Sequence, residues 1–160
     1  MKKLNLGCGS EYKKGWMNID VLKSIKADEY FSLDKYPWPL KNNSFDKILM
    51  KSILEHLQDP IKALKEIIRI SKNNAKIIVI VPHARNYAYI SDLQHKTNFT
   101  EASFGEELLK EYDLNELTLT DKQFIYWANK WKKFIPLKGF LKIFLNSIYD
   151  ELLFEFEVKK

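Results

Sequence analysis

The sequence predicts an α/β protein built on a mostly parallel sheet, and three observations carry that prediction. A short apolar stretch at residues 3–6 runs straight into Gly7-Cys8-Gly9, as a buried strand does when it enters a tight turn. Residues 76–81 are an unbroken Ile/Val-rich run without polar alternation, the pattern of a strand covered on both faces. Between them, Asp59-Pro60 opens a segment with Ile61, Leu64, Ile67 and Ile68 at helical spacing. Strands that alternate with such a helix belong to a layered α/β architecture.

The elements follow in order. A second strand is predicted over 16–21, closed by Asp20, and a third over 28–33, ending at Asp34. Tyr36-Pro37-Trp38-Pro39-Leu40 suits neither a helix interior nor a central strand, because its prolines remove donors and restrict their neighbours. Lys41-Asn42-Asn43-Ser44 is turn chemistry, and 45–50 reads as a fourth strand. Asp59 suits an N-cap and Pro60 the first helical position, where its missing amide hydrogen costs nothing. Asn73-Asn74 is expected to stop that helix. Residues 83–100 have no clean period and read as a long loop with one helical turn, a length that in compact domains marks function or disorder. A helix is predicted over 100–112, beginning at Thr100 or Ser103, with strand pieces at 117–119 and 124–127 and a helical apolar stripe over 136–149. Residues 152–158 alternate Phe154 and Phe156 with Glu155 and Glu157, as a strand with one buried face does.

Composition narrows the function classes. The chain has 160 residues, 46% hydrophobic and 29% charged, which fits one packed domain and excludes collagen-like and disulfide-stapled folds. A single cysteine, Cys8, forbids an intrachain disulfide. The basic start lacks the apolar core of a signal peptide, and the longest apolar run, 77–82, is far short of a membrane span. A cytoplasmic protein is expected. The net charge of +5 permits an anionic partner without demanding one.

The glycine turn and the acid after it suggest a nucleoside site. Gly7 and Gly9 let backbone approach a ligand, and Asp20 at the end of the next strand can accept from a ribose diol. A dinucleotide fingerprint wants a third glycine, yet that position is Tyr12, and 10–15 is too short for a crossover helix that would hold a pyrophosphate. A nucleoside without a diphosphate loses nothing by this.

Leu4-Asn5-Leu6-Gly7-Cys8-Gly9, the segment Leu33-Asp34 to Phe45-Asp46, and Leu54-Glu55-His56-Leu57 before Asp59-Pro60 stand in the order found in class I S-adenosylmethionine-dependent methyltransferases. The chain resembles that family over 3–82. Gly15 to Asp20, Asp92-Leu93-Gln94-His95 and the final Phe-Glu-Val-Lys are similar to short methyltransferase-domain proteins often associated with glycan or cell-envelope clusters. Two departures stand out: Asn5 replaces a common acid, and the first helix is nearly absent.

The resemblance implies a Rossmann-like fold, with helices on both faces of the sheet and an antiparallel C-terminal strand. It divides the chain into a cofactor half (3–82) and a substrate loop with a C-terminal half (83–160). It also implies S-adenosylmethionine as cofactor. Gly7, Cys8 and Gly9 would line its methionine and ribose, Asp20 would hold the hydroxyls, Asp34 would meet the adenine and Ser52 would flank the sulfonium. Packing explains a small residue at Cys8 without any nucleophilic role, and Asp34 serves equally well as a cap for the turn before Pro37. Glu55 and His56 read as stabilising residues.

For the chemistry, His83, Asp92 and His95 lie in the loop after the fifth strand, where open α/β sheets place substrate groups. A histidine can take a proton from a hydroxyl or ammonium acceptor, though His95 and Asp92 could instead bond each other to hold the loop. Metal binding by these histidine and aspartate side chains is the weaker reading, and no metal is expected. The aromatic and basic segment Trp127, Lys130, Trp131, Lys132, Lys133 and Phe134 reads first as part of a core helix. A peripheral membrane contact or a second subunit comes next, ahead of nucleic acid, for which no motif is present. The expected activity is methyl transfer to a small-molecule acceptor, a sugar or glycan precursor. The competing readings are a non-catalytic nucleotide-binding or envelope-associated interaction module and, further off, a nicotinamide-dependent oxidoreductase. The acceptor and the oligomeric state are open.

Overall fold

A computed structural model describes residues 1–126, 134, 136–137 and 148–160. Most of the expected helical stripe over 136–149 and most of the aromatic and basic segment from Trp127 to Phe134 lie outside the described residues.

Seven strands form one sheet: β1 (Lys3–Leu6), β2 (Met17–Asp20), β3 (Glu29–Tyr30), β4 (Phe45–Lys51), β5 (Ser71–Pro82), β6 (Leu117–Ile125) and β7 (Glu151–Val158). Their order is β3-β2-β1-β4-β5-β7-β6. The pairs from β3 through β5 are parallel, and β7 runs antiparallel to both β5 and β6. Among the described residues the helices are α1 (Pro60–Ile70), α2 (Tyr87–Ser91) and α3 (Glu106–Glu111), with a 3-10 turn at Leu54–His56.

Alternation along the strands sorts the two faces. One face holds the cross-strand row Leu6, Met50, Val79 and Phe154, all fully buried. Against it pack Ala63, Leu64 and Ile67 of α1, Leu109 of α3 and Trp38. The other face begins with polar residues: Asn5, Asn18 and Asp20 are all buried.

α1 begins where the sequence places it. Asp59 accepts from the Lys62 amide at 2.9 Å, and Pro60 takes the first helical position. Its end comes earlier than expected, at Ile70, because the Ser71 hydroxyl donates to the Ile67 carbonyl while Ser71 already pairs with Phe45. Lys72, Asn73 and Asn74 then make an exposed excursion within β5, turned by a left-handed Asn74 (φ 59°).

Three other elements differ from expectation. β3 shrinks to two residues at the sheet edge. The helix predicted over 100–112 survives only as α3, because the Ser103 hydroxyl accepts from the Thr100 amide, the Thr100 hydroxyl accepts from the Ala102 amide, and the chain turns before Gly105. The strand pieces at 117–119 and 124–127 are one edge strand, β6, interrupted by a register shift at Thr120. Among the described residues no helix is long and apolar enough to cross a membrane.

The connections β1–β2 and β2–β3 contain no helix. A polar network holds the first one instead. Asn18, fully buried, donates to the carbonyls of Lys13 and Trp16 and to Asp28, and it accepts from the Lys13 amide and from Asn5. Asn5 also donates to the Glu11 carbonyl. An acid at position 5 could make neither donation, so Asn5 and the helix-free connection are two sides of one arrangement.

Candidate functional site: a cavity at the strand switch point

β1 connects to β2 on one side and has β4 on the other, so the sheet reverses its winding there and opens a crevice at the carboxyl ends of the strands. A cavity of about 700 Å³ occupies that crevice. Gly7, Cys8 and Gly9 line it from the end of β1, Asp20 from the end of β2, Asp34 from beyond β3 and Ser52 from beyond β4. All six residues expected to hold a cofactor therefore border one space.

The bend is built by left-handed backbone, with φ of 64° at Gly7 and 49° at Gly9. A Cβ on Gly7 would fall well inside contact distance of Ile53 Cγ1 and Cδ1, whereas a Cβ on Gly9 would meet nothing within 4 Å. The Asp20 carboxylate points at this bend: Oδ2 accepts from the Gly9 amide at 2.8 Å and Oδ1 from the Leu22 amide at 3.0 Å. The Cys8 thiol also donates to Oδ2, at 4.0 Å, so of about four acceptor positions the one left open for a hydroxyl is on Oδ1. Val21 and Leu22 follow directly, 60% and 54% exposed on the cavity wall. Apolar side chains left open beside a partly satisfied carboxylate are the makings of a small-molecule site.

Other groups close the rim. Ser52 has a left-handed φ of 52° and donates its amide to the Ile80 carbonyl at 2.8 Å. Asp34 is exposed and accepts from the Gln58 amide at 2.8 Å, tying the β3 exit to the α1 entry rather than capping the turn before Pro37. Lys51 pairs with Glu11, and that hydrogen bond is the main reason the Glu11 carboxyl sits below its ordinary range. Burial, and then Asp20, push the Cys8 thiol up, which keeps it protonated and suits a packing role.

Residues 18–79 match the family model described as a methyltransferase domain. The uncharacterized protein MJ0638 of Methanocaldococcus jannaschii is 29% identical over 134 residues, 83% of this chain. The chain spans about half the length of that curated relative, 47%. The crystal structure of a SAM-dependent methyltransferase from Archaeoglobus fulgidus superposes with a TM-score of 0.68 at 15% identity, covering 98% of this chain and 85% of that one. One from Mesorhizobium loti gives 0.67 at 12% identity, covering 98% and 90%. The chain carries the class I S-adenosylmethionine-dependent methyltransferase fold.

Within this methyltransferase fold, the residues expected to do chemistry are placed differently from those expected to bind. His83, Asp92 and His95 do not line the cavity. His83 is buried, its Nδ1 accepting from the Arg85 amide at 3.1 Å and its Nε2 lying 3.3 Å from Glu101. Asp92 and His95 lie 3.5 Å apart. His56, read from sequence as structural, does line the cavity, and its ring packs on His95 at 4.6 Å. Beside it Glu55 is 1% exposed; burial, followed by the charges of Glu151 and Asp92, pushes its carboxyl up to about 7. Burial and His95 lower His56.

Sequence reasoning also missed Lys51, Glu11 and the apolar wall. A signal existed for the wall, since Val21-Leu22 directly after Asp20 places two apolar side chains where a strand has just ended.

Proposed function

We propose that this chain transfers the sulfonium methyl group of S-adenosylmethionine to a small-molecule acceptor, with sugars and glycan precursors the first acceptor class to test. The observation that carries the reading is the Asp20 carboxylate, bonded across to the Gly9 amide at the mouth of a cavity of about 700 Å³, with an acceptor position open on Oδ1. That volume is in the range of small-molecule sites, and no helix N-terminus stands ready for a diphosphate between β1 and β2.

S-adenosylmethionine supplies an activated methyl group that leaves from a cationic sulfur. The protein then has to align the acceptor and exclude water. In this reading Gly7, Cys8 and Gly9 run along the methionine and ribose, and Asp20 accepts from the diol. Val21, Leu22 and Phe31 wall the base, and Asp34 accepts from its amino group with the oxygen that Gln58 does not use. Ser52 flanks the sulfonium. A hydroxyl acceptor needs a proton acceptor, and His56 is the histidine on the cavity wall. His95 acts through its ring contact with His56, and Asp92 through its contact with His95.

A second reading, a module that holds the nucleoside and performs no transfer, is favoured by the helix-free β1–β2 connection and by Asn5. Incubation with methyl-labelled S-adenosylmethionine and pooled sugars separates the two. Label in an acceptor, saturable and lost when Asp20 is changed, supports the enzyme; tight cofactor binding with no label in any acceptor class overturns it.

A further inference from the structure

Glu55, His56 and His95 meet beside the cavity although the third follows the first two by 40 and 39 residues. The 3-10 turn presents Glu55 and His56, and the returning loop is pinned to it by the Lys96 and Thr97 amides, which donate to the Glu55 carbonyl at 2.8 and 3.3 Å. One nitrogen or oxygen from each of the three side chains lies within 4.8 Å of the others.

Two of these groups are buried without a partner. Glu55 Oε2 and His56 Nδ1 are out of contact with solvent and meet no hydrogen-bond partner among the described residues. Each such atom carries a desolvation cost that native structures rarely leave uncompensated. One of the two imidazoles is also fixed at its other nitrogen. His95 Nδ1 lies 3.1 Å from the Tyr89 carbonyl, so its hydrogen is donated there and Nε2 keeps the lone pair. A backbone carbonyl on the far nitrogen is the usual way a metal-binding histidine is oriented. Asp92, 3.5 Å from His95 Nε2, and Glu151, which acts on Glu55, add negative charge, against Lys96 near His56.

We propose that Glu55, His56 and His95 bind one divalent transition-metal ion, which reaches the cavity through His56. Two imidazoles and a carboxylate suit zinc or ferrous iron, and three protein ligands leave a position open. Donors ~2.1 Å from a tetrahedral zinc stand about 3.4 Å apart, so ligand atoms now within 4.8 Å of one another close by at most about 1.4 Å on binding. With the ion bound, His56 is a ligand and no longer the proton acceptor; the open position would take the oxygen of an acceptor hydroxyl and make it easier to deprotonate. This role rests on the methyl-transfer reading; the metal site does not.

The test uses tag-free full chain stripped with a chelator and titrated with Zn²⁺ against a chromophoric competitor, then with Co²⁺ in the visible range. One equivalent per chain is expected, with a Co²⁺ spectrum of tetrahedral intensity. His95→Ala and the conservative Glu55→Gln should each weaken Zn²⁺ by at least tenfold while S-adenosylhomocysteine affinity stays within about threefold, since neither residue lines the cavity. Equal Zn²⁺ affinity in wild type and both variants, or no stoichiometric binding by wild type, overturns the site. Loss of nucleoside binding in wild type with metal binding retained overturns the methyl-transfer reading alone.

Discussion

Gly7→Ala tests the bend at the mouth of the cavity. Two costs add. Alanine at a φ of 64° loses about 1–2 kcal/mol relative to glycine. The new methyl also collides with Ile53 Cγ1 and Cδ1, and Ile53 is β-branched and packed against the core, so it cannot simply rotate aside. Overpacking of this kind costs about 1–3 kcal/mol, for a total of about 2–5 kcal/mol. Gly9→Ala carries only the first cost, because its methyl meets no atom. The assay is urea unfolding of Gly7→Ala, Gly9→Ala, Ile53→Ala and the Gly7→Ala/Ile53→Ala pair. Gly7→Ala should be the less stable of the two glycine variants by about 1–3 kcal/mol, and Ile53→Ala should recover that difference as a coupling energy. Gly9→Ala should instead show its larger effect on nucleoside affinity, since its methyl stands in the cavity. Equal destabilisation of the two glycine variants, with no coupling to Ile53, would refute the packing described for this bend.

Asn18→Ala removes buried donations to Lys13, Trp16 and Asp28 at once and should cost about 2–4 kcal/mol, read from the urea midpoint. The β1–β2 amides should exchange faster in that variant, and protection equal to wild type would mean that the network does not hold the connection. Burial raises the Glu66 carboxyl, but hydrogen bonds from Arg69 and from the Trp38 amide more than offset it and hold the group below its ordinary value. Its stabilisation is therefore present above the normal carboxylate range and fades as pH falls through and below it. Arg69→Ala should cost about 2 kcal/mol at pH 7, with a gap to wild type that narrows toward pH 3; a gap independent of pH counts against this pairing.

The N-terminal half was legible because its signals are local. A glycine turn after an apolar run, an acid closing the next strand and an Asp-Pro cap each depend on a few adjacent residues, and Gly7, Asp20 and Asp59 sit where those rules put them. The same holds for the alternation at Phe154 and Phe156. What escaped depends on distant partners. Thr100 and Ser103 look like helix starts until they bond each other. His83 looks available in sequence, but Arg85 and Glu101 engage it under a closed surface. His56 looked structural because its neighbours, Gln94 and His95, arrive from a loop some 40 residues on, and no spacing rule brings that loop back to the 3-10 turn.

The nucleoside berth itself is tested most directly by calorimetry across both partners of one contact. S-adenosylhomocysteine and its 2′-deoxy analogue are titrated into wild type and Asp20→Ala. A hydrogen bond to a charged group is worth about 1.5–3 kcal/mol, so wild type should bind one natural ligand per chain and lose about 10- to 100-fold on removal of the hydroxyl. Asp20→Ala should bind both ligands weakly and tell them apart by less than about threefold. Wild type that ignores the hydroxyl, or that binds neither ligand, would contradict the account.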